Sequence, residues 1–180
     1  MRTSVAIVPG LPALLHEYSS RVDPVPEVRD ACREGVAWLA ERSPSTVTVM
    51  ASSSTALRVA EWLLTEVGFT GEVARSGSPT GAEGLLVVAN GSARRGEKAP
   101  GHLDPRSFDF DEQLETALGK GDAAALGDID LSLADALLAD GLGSLLSLVA
   151  FADASVTSTM LYAGDPYGVR YWVATWDCSS

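Results

Sequence analysis

The feature that most constrains the fold is a series of three short, apolar runs, each closed by a turn-forming or small polar segment. They cover residues 4–8, 46–51 and 85–89, and they end in Pro-Gly, Ser-Ser-Ser and Asn-Gly-Ser. Runs of this length without regular polar alternation are typical of strands that are covered on both faces. A sheet built from such strands needs helices on either side, so the runs predict an α/β architecture.

The segments between these runs have the apolar spacing of helices. The first helix is predicted to open at Pro24 and Pro26, and the second is predicted to begin after an N-cap in residues 52–54 and to end at Gly68. Their apolar stripes are Val28, Ala31, Cys32, Val36 and Leu39 in the first, and Leu57, Ala60, Leu64 and Val67 in the second. Further helices are predicted over 109–118, 122–126, 132–139 and 142–151.

The C-terminal part of the chain has a different pattern. Residues 156–162 and 169–176 alternate around Asp165-Pro166-Tyr167-Gly168, which predicts an antiparallel hairpin. Residues 72–75 suggest a short edge strand, and residues 90–107 a long loop. We therefore expect a single α/β domain over residues 1–176, with a mostly parallel central sheet flanked by helices and a C-terminal antiparallel hairpin, followed by a tail at 177–180.

Composition excludes several classes of protein. At 180 residues, 46% hydrophobic and 21% charged, the chain has the size and composition of one globular domain. A net charge of −11 argues against a nucleic-acid partner, because binding to phosphate backbones requires a basic surface. The longest apolar stretch, residues 142–152, contains Gly and Ser and is too short for a bilayer, so no membrane partner is expected.

The N-terminus and the cysteines indicate a cytoplasmic location. The apolar run at 4–8 is stopped by Pro9 and is too short for the core of a signal peptide. Two unpaired cysteines suit a reducing compartment. Cys32 is predicted to be a buried residue of the first helix, and Cys178 to lie on the loose tail.

Several segments, in this order, resemble the class III extradiol ring-cleavage dioxygenases, whose type member is the β-subunit of protocatechuate 4,5-dioxygenase. The resemblance covers nearly the whole chain and extends to an actinobacterial branch of dioxygenase B-like proteins. Its segments are 6–15, 85–95, 99–104, 108–111, 139–141, 161–162 and 166–173. It implies the same α/β fold and a pocket where the strands end.

The chemistry of that family depends on a ferrous ion held by two His and one Glu, with a further His as acid–base. The positions that resemble the first ligand and the acid–base residue hold Gly10 and Ala93, and residues 50–54, at the second ligand, contain no His. Neither glycine nor alanine can bind a metal or move a proton through its side chain. The resemblance therefore implies the fold without the iron reaction, and we expect no metal or cofactor.

The predicted binding cleft lies at the carboxyl edge of the sheet, where open α/β folds bind ligands. Its candidate residues are Gly10, Ser52, Ser53, Asn90, Ser92, Arg94, Arg95, His102 and Asp140. Arg94, Arg95 and Lys98 suggest a small anionic ligand, and the resemblance suggests an aromatic one. The alternative for the basic residues is pairing with acidic neighbours on the surface.

Function divides into two hypotheses. The leading one is a non-catalytic small-molecule-binding or scaffold protein. The alternative is an enzyme: either a metal-dependent oxidoreductase with non-standard ligands such as His16, His102 and Asp140, or a catalyst of a different, metal-free reaction in the same cleft. His102 either faces the pocket or is exposed, and His16 is expected to be exposed or to cap a helix.

Two smaller hypotheses concern the acidic residues and the hairpin. Asp122, Asp128, Asp130 and Asp135 are either a Ca²⁺ or Mg²⁺ site or helix caps, and the missing loop glycine and bidentate Glu favour caps. Tyr162, Tyr167, Tyr171 and Trp172 are expected to pack in the core and the hairpin. An exposed part of this aromatic set would support a homo-oligomer formed through the edge of the hairpin.

Overall fold

A computed structural model describes residues 2–18, 22–75, 79 and 81–179. It shows one six-stranded sheet in the order β3-β2-β4-β1-β6-β5. The strands are β1 (Arg2–Val8), β2 (Thr46–Met50), β3 (Glu72–Ala74), β4 (Gly84–Val88), β5 (Ser155–Gly164) and β6 (Tyr171–Ser179). The three apolar runs are thus strands of the sheet, as predicted.

Three strand pairs are parallel and two are antiparallel. β4 pairs in parallel with both β1 and β2, and β2 pairs in parallel with β3. β6 pairs antiparallel with β1 on one side and with β5 on the other. The mostly parallel sheet with a C-terminal antiparallel hairpin is therefore confirmed.

Helices cover both faces of the sheet. They are α1 (Pro26–Arg42), α2 (Ser54–Glu66), α3 (Arg106–Lys120), α4 (Ala123–Leu126), α5 (Leu131–Ala136) and α6 (Leu142–Leu146). Successive strand residues point to opposite faces, so Ala6 and Val8 pack with α1 and α2, whereas Val5 and Ile7 pack with α3 to α6. The core is thus two apolar layers, one on each side of the sheet.

The position of the site follows from where the chain leaves the sheet. After β1 it continues into α1 on one face, and after β4 it continues into α3 on the other. β1 and β4 are neighbours, so a crevice opens between their carboxyl ends. In open α/β sheets, such a switch point is where ligands bind.

Two predictions about the C-terminal strand are wrong. β6 continues to Ser179, so Cys178 does not lie on a loose tail. Cys178 pairs with Thr3 of β1 and with Val156 of β5, and only 2% of its surface is exposed. Residues 171–176 are all buried and do not alternate between solvent and core. Both differences arise because β6 lies between two strands and is covered by helices on both faces, which the local pattern does not reveal.

The remaining boundaries differ by a few residues. The helix predicted over 142–151 divides into α6 and a 3-10 segment at Ser147–Phe151.

Over the residues that the structure describes, no helix combines the length and the apolar character needed to cross a membrane.

Candidate functional site

Hydrogen bonds join four of the predicted site residues at the crevice between β1 and β4. The backbone N–H of Gly10 donates to Asn90 Oδ1 at 2.8 Å, and the backbone N–H of Asn90 donates to the carbonyl of Asp140 at 2.8 Å. The Ser52 hydroxyl donates to Asp140 Oδ1 at 3.3 Å. Gly10, Asn90, Ser52 and Asp140 thus form a continuous polar patch, which we call the crevice patch.

The crevice patch presents hydrogen-bond acceptors to solvent. Ser52 and Asp140 are exposed, whereas Gly10 and Asn90 are half-buried. Within residues 2–18, 22–75, 79 and 81–179, no Lys or Arg forms an ion pair with Asp140. Ser53 has a structural role, because its hydroxyl accepts the Ala56 N–H at 3.1 Å and caps α2.

Apolar atoms surround Gly10 and Ala93, the two positions at which the sequence resemblance predicts that His residues are missing. A Cβ at Gly10 would lie 3.2 Å from Val88 Cγ1 and 3.6 Å from Ala56 Cβ. Ala93 is 9% exposed and belongs to the apolar cluster on the α1 face, which also contains Leu11 and Tyr171. An imidazole at either position would have to displace packed neighbours.

Ser92 lies in a buried polar network rather than in the crevice. Its backbone N–H donates to Asp111 Oδ1 at 2.8 Å, and its hydroxyl donates to Asp111 Oδ2 at 2.5 Å. Arg95 Nη1 adds a third donor to Asp111 Oδ2 at 3.1 Å. Burial raises the pKa of the Asp111 carboxyl, and these hydrogen bonds oppose the increase only in part. The network joins the loop after β4 to α3.

Protein acceptors engage both predicted anion-binding arginines. Arg94 donates to the carbonyls of Gly101 at 2.7 Å and Ala136 at 2.9 Å. Arg95 donates to Asp165 Oδ2 at 2.6 Å as well as to Asp111. For Arg95, pairing with acidic neighbours is thus what the structure shows, whereas Arg94 joins its own loop to the end of α5.

The alternative metal ligands do not come together. His102 is exposed, and its Nδ1 lies 3.2 Å from the carbonyl oxygen of Glu97 in its own loop. The ring of His16 stacks on Trp62 with 6.0 Å between centroids. Among the described residues, no group of three or more His, Cys, Asp or Glu side chains is arranged to hold a metal ion.

The acidic residues near α4 and α5 include two helix caps. Asp122 accepts the backbone N–H of Ala125 at 3.0 Å, and Asp130 accepts those of Ser132 at 2.9 Å and Leu133 at 3.1 Å. The interpretation of these two residues as caps is confirmed.

Sequence reasoning missed a groove of about 620 Å³ between α3 and β5. Its lining residues are Arg95, Phe108, Asp111, Glu112, Glu115, Thr116, Gly119, Lys120, Met160 and Arg170. At one end, Arg170 Nη2 and Trp172 Nε1 both donate to Glu115 Oε2, at 2.5 and 3.2 Å. Asp111 lies in a segment that carries the dioxygenase resemblance, but its burial depends on the contact between α3 and the loop.

No protein-family model matches the sequence, and no curated protein matches it either.

Proposed function

We propose that this chain is a non-catalytic small-molecule-binding protein whose ligand occupies the crevice patch. The observation that carries the proposal is the hydrogen-bonded set of Gly10, Asn90, Asp140 and Ser52 at the switch point of the sheet. Open α/β folds bind ligands at this place because loops diverge there and leave backbone and side-chain polar groups accessible.

The packing around Gly10 and Ala93 supports a binding role over the iron reaction. Val88 and Ala56 occupy the space beside Gly10, and Ala93 is enclosed in an apolar cluster. A reaction that needs imidazole ligands and an imidazole acid–base has no donor at these two positions. The dioxygenase-like fold then serves to hold a ligand at the strand ends.

The chemistry of the patch favours an aromatic hydroxyl compound over a free anion. The exposed groups are the Asp140 carboxylate and the Ser52 hydroxyl, which accept hydrogen bonds from a phenolic O–H. Arg94 and Arg95, the cations that would attract an anion, are engaged by carbonyls and carboxylates. A catechol offers two adjacent donors to this acceptor pair.

The test is calorimetric titration of the protein with catechol, with benzoate as the anionic comparison. Catechol is expected to bind more tightly than benzoate. Asp140→Asn is expected to weaken catechol binding about 10- to 100-fold, because a hydrogen bond to a charged group contributes roughly 1.5–3 kcal/mol. Asp128→Asn, at an exposed aspartate outside the patch, is the matched control and should bind as the wild type does.

Two results would contradict the proposal. Equal catechol affinity in wild type and Asp140→Asn would place the ligand elsewhere. Tighter binding of benzoate than of catechol would instead favour an anionic ligand that binds at the loop of Arg94 and Arg95.

We also place the protein in the cytoplasm. Cys32 and Cys178 are both free and buried in the structure. Burial raises the pKa of both thiols, that of Cys178 to about 11, which disfavours the reactive thiolate form. Unpaired thiols of this kind are typical of proteins in reducing compartments.

A further inference from the structure

The outer edge of β5 lacks most of the features that protect an exposed strand edge from pairing. β5 is ten residues long and lies at the end of the sheet, and no strand in the described part of the chain pairs with its outer side. It contains neither a charged residue nor a proline. The opposite edge strand, β3, is only three residues long and carries Glu72. Sheets usually protect exposed edges by short length, charge, proline or a β-bulge. Of these, β5 has only a bulge, at the register shift between Met160 and Tyr162 in its pairing with β6.

The groove beside this edge carries two opposite charges without partners. Glu112 and Lys120 both line it and are exposed, and neither makes an ion pair or side-chain hydrogen bond within residues 2–18, 22–75, 79 and 81–179. They lie about two turns apart along α3, which is too far for them to pair with each other. The groove-facing side of α3 therefore carries the Glu112 carboxylate towards one end and the Lys120 ammonium group at the other.

This arrangement is self-complementary under a twofold axis. Thr116, midway between Glu112 and Lys120, is exposed and small, and a rotation about an axis near it brings Glu112 of one copy opposite Lys120 of the other. α3 runs antiparallel to β5, since Gly119 lies near Met160 and Gly121 near Val156. The same axis therefore passes near the middle of β5 and sets two copies of the strand antiparallel, edge to edge.

We propose that a second copy of this chain binds along β5 and α3 and extends the sheet across a twofold axis. Main-chain hydrogen bonds between the two β5 strands supply the pairing, and the Glu112–Lys120 contacts fix the register. Because the axis is twofold, each dimer contains this ion pair twice. The interface lies beyond β6 from the crevice patch, so it is independent of the proposed ligand site.

The test combines sedimentation with a charge reversal. Across a dilution series, the full chain is expected to show a species of twice its 18.8 kDa mass. Lys120→Glu places two acids opposite each other at both ends of the interface, so the dimer dissociation constant should rise at least about tenfold. The double variant Glu112→Lys with Lys120→Glu restores the complementary pairs and should dimerise like the wild type.

Two further measurements complete the test. Lys98→Glu reverses the charge of an exposed lysine outside the groove and should leave the dissociation constant unchanged. In the wild type, the outward amides of β5 should exchange hydrogen more slowly as protein concentration rises. A monomer across the dilution series would overturn the proposal. So would a dimer insensitive to Lys120→Glu, a double variant that fails to recover, or β5 exchange that is independent of concentration.

Discussion

Asp111 shows how much a single buried side chain contributes to the architecture around the site. Only 1% of it is exposed, and it accepts hydrogen bonds from the backbone and hydroxyl of Ser92 and from Arg95. A carboxylate out of water is costly unless donors surround it, and here three donors do so. Asp111 therefore holds the loop after β4, which carries Asn90, against α3.

Replacing Asp111 with Ala is expected to destabilise the protein by about 3–5 kcal/mol. The substitution leaves the Ser92 donors without their acceptor and removes one of the two carboxylates that pair with Arg95. Urea denaturation followed by circular dichroism measures the loss. Asp109→Ala is the control, because Asp109 is exposed in the first turn of the same helix and should cost less than about 1 kcal/mol. Equal losses in the two variants would show that the network contributes little.

At the scale of elements, the start of α6 closes one side of the crevice. Gly141 precedes the helix with φ of +78°, and a Cβ there would collide with the carbonyl oxygen of Val88. Its neighbour Asp140 belongs to the crevice patch and accepts the Asn90 N–H on its carbonyl. The tight approach of Gly141 to β4 thus positions Asp140 over the strand ends.

Two glycines two residues apart allow a matched test of this contact. Gly141→Ala is expected to cost at least about 2 kcal/mol, because a left-handed conformation strains an alanine by roughly 1–2 kcal/mol and the collision adds to that. Gly143→Ala, inside α6 with no atom within 4 Å of the new methyl group, is expected to stabilise by about 0.5–1 kcal/mol. Thermal or urea denaturation of both variants measures these shifts. A Gly141→Ala variant as stable as wild type would contradict the close packing of α6 on β4.

At the scale of the whole molecule, the topology opens a crevice between β1 and β4, and apolar residues pack around Gly10 and Ala93. β1 and β4 lead to opposite faces of the sheet, which opens the crevice. Val88 and Ala56 lie beside Gly10, and Ala93 belongs to the same apolar cluster on the α1 face.

Ring cleavage is expected to be absent. Protein supplied with ferrous iron, oxygen and protocatechuate should give no ring-cleavage product above a control without protein. Gly10 and Ala93 lack the side-chain donors that the reaction requires, and both lie among apolar neighbours. The measurement is the absorbance of the ring-opened product. Turnover that a chelator abolishes would refute this prediction and favour the oxidoreductase alternative with His16, His102 and Asp140.

Most of the fold could be predicted from the sequence, because the spacing of apolar residues and the types of turn residues are properties of short segments. The runs at 4–8, 46–51 and 85–89 could only be buried strands in a chain with intervening helical stripes. The hairpin followed from alternation around Asp165–Gly168, and the meeting of Gly10, Ser52 and Asn90 followed from the shared direction of parallel strands.

Only the tertiary structure decided which side chains are accessible to a ligand or a partner. The sequence could not show that Arg94 and Arg95 would be engaged by acceptors up to 70 positions away, such as Asp165. Nor could it show that β6 would be buried on both faces as far as Cys178, or that Glu112 and Lys120 would border a groove beside an open strand edge. These outcomes depend on which distant elements pack together, whereas the strands and helices arise from interactions within a few residues of the chain.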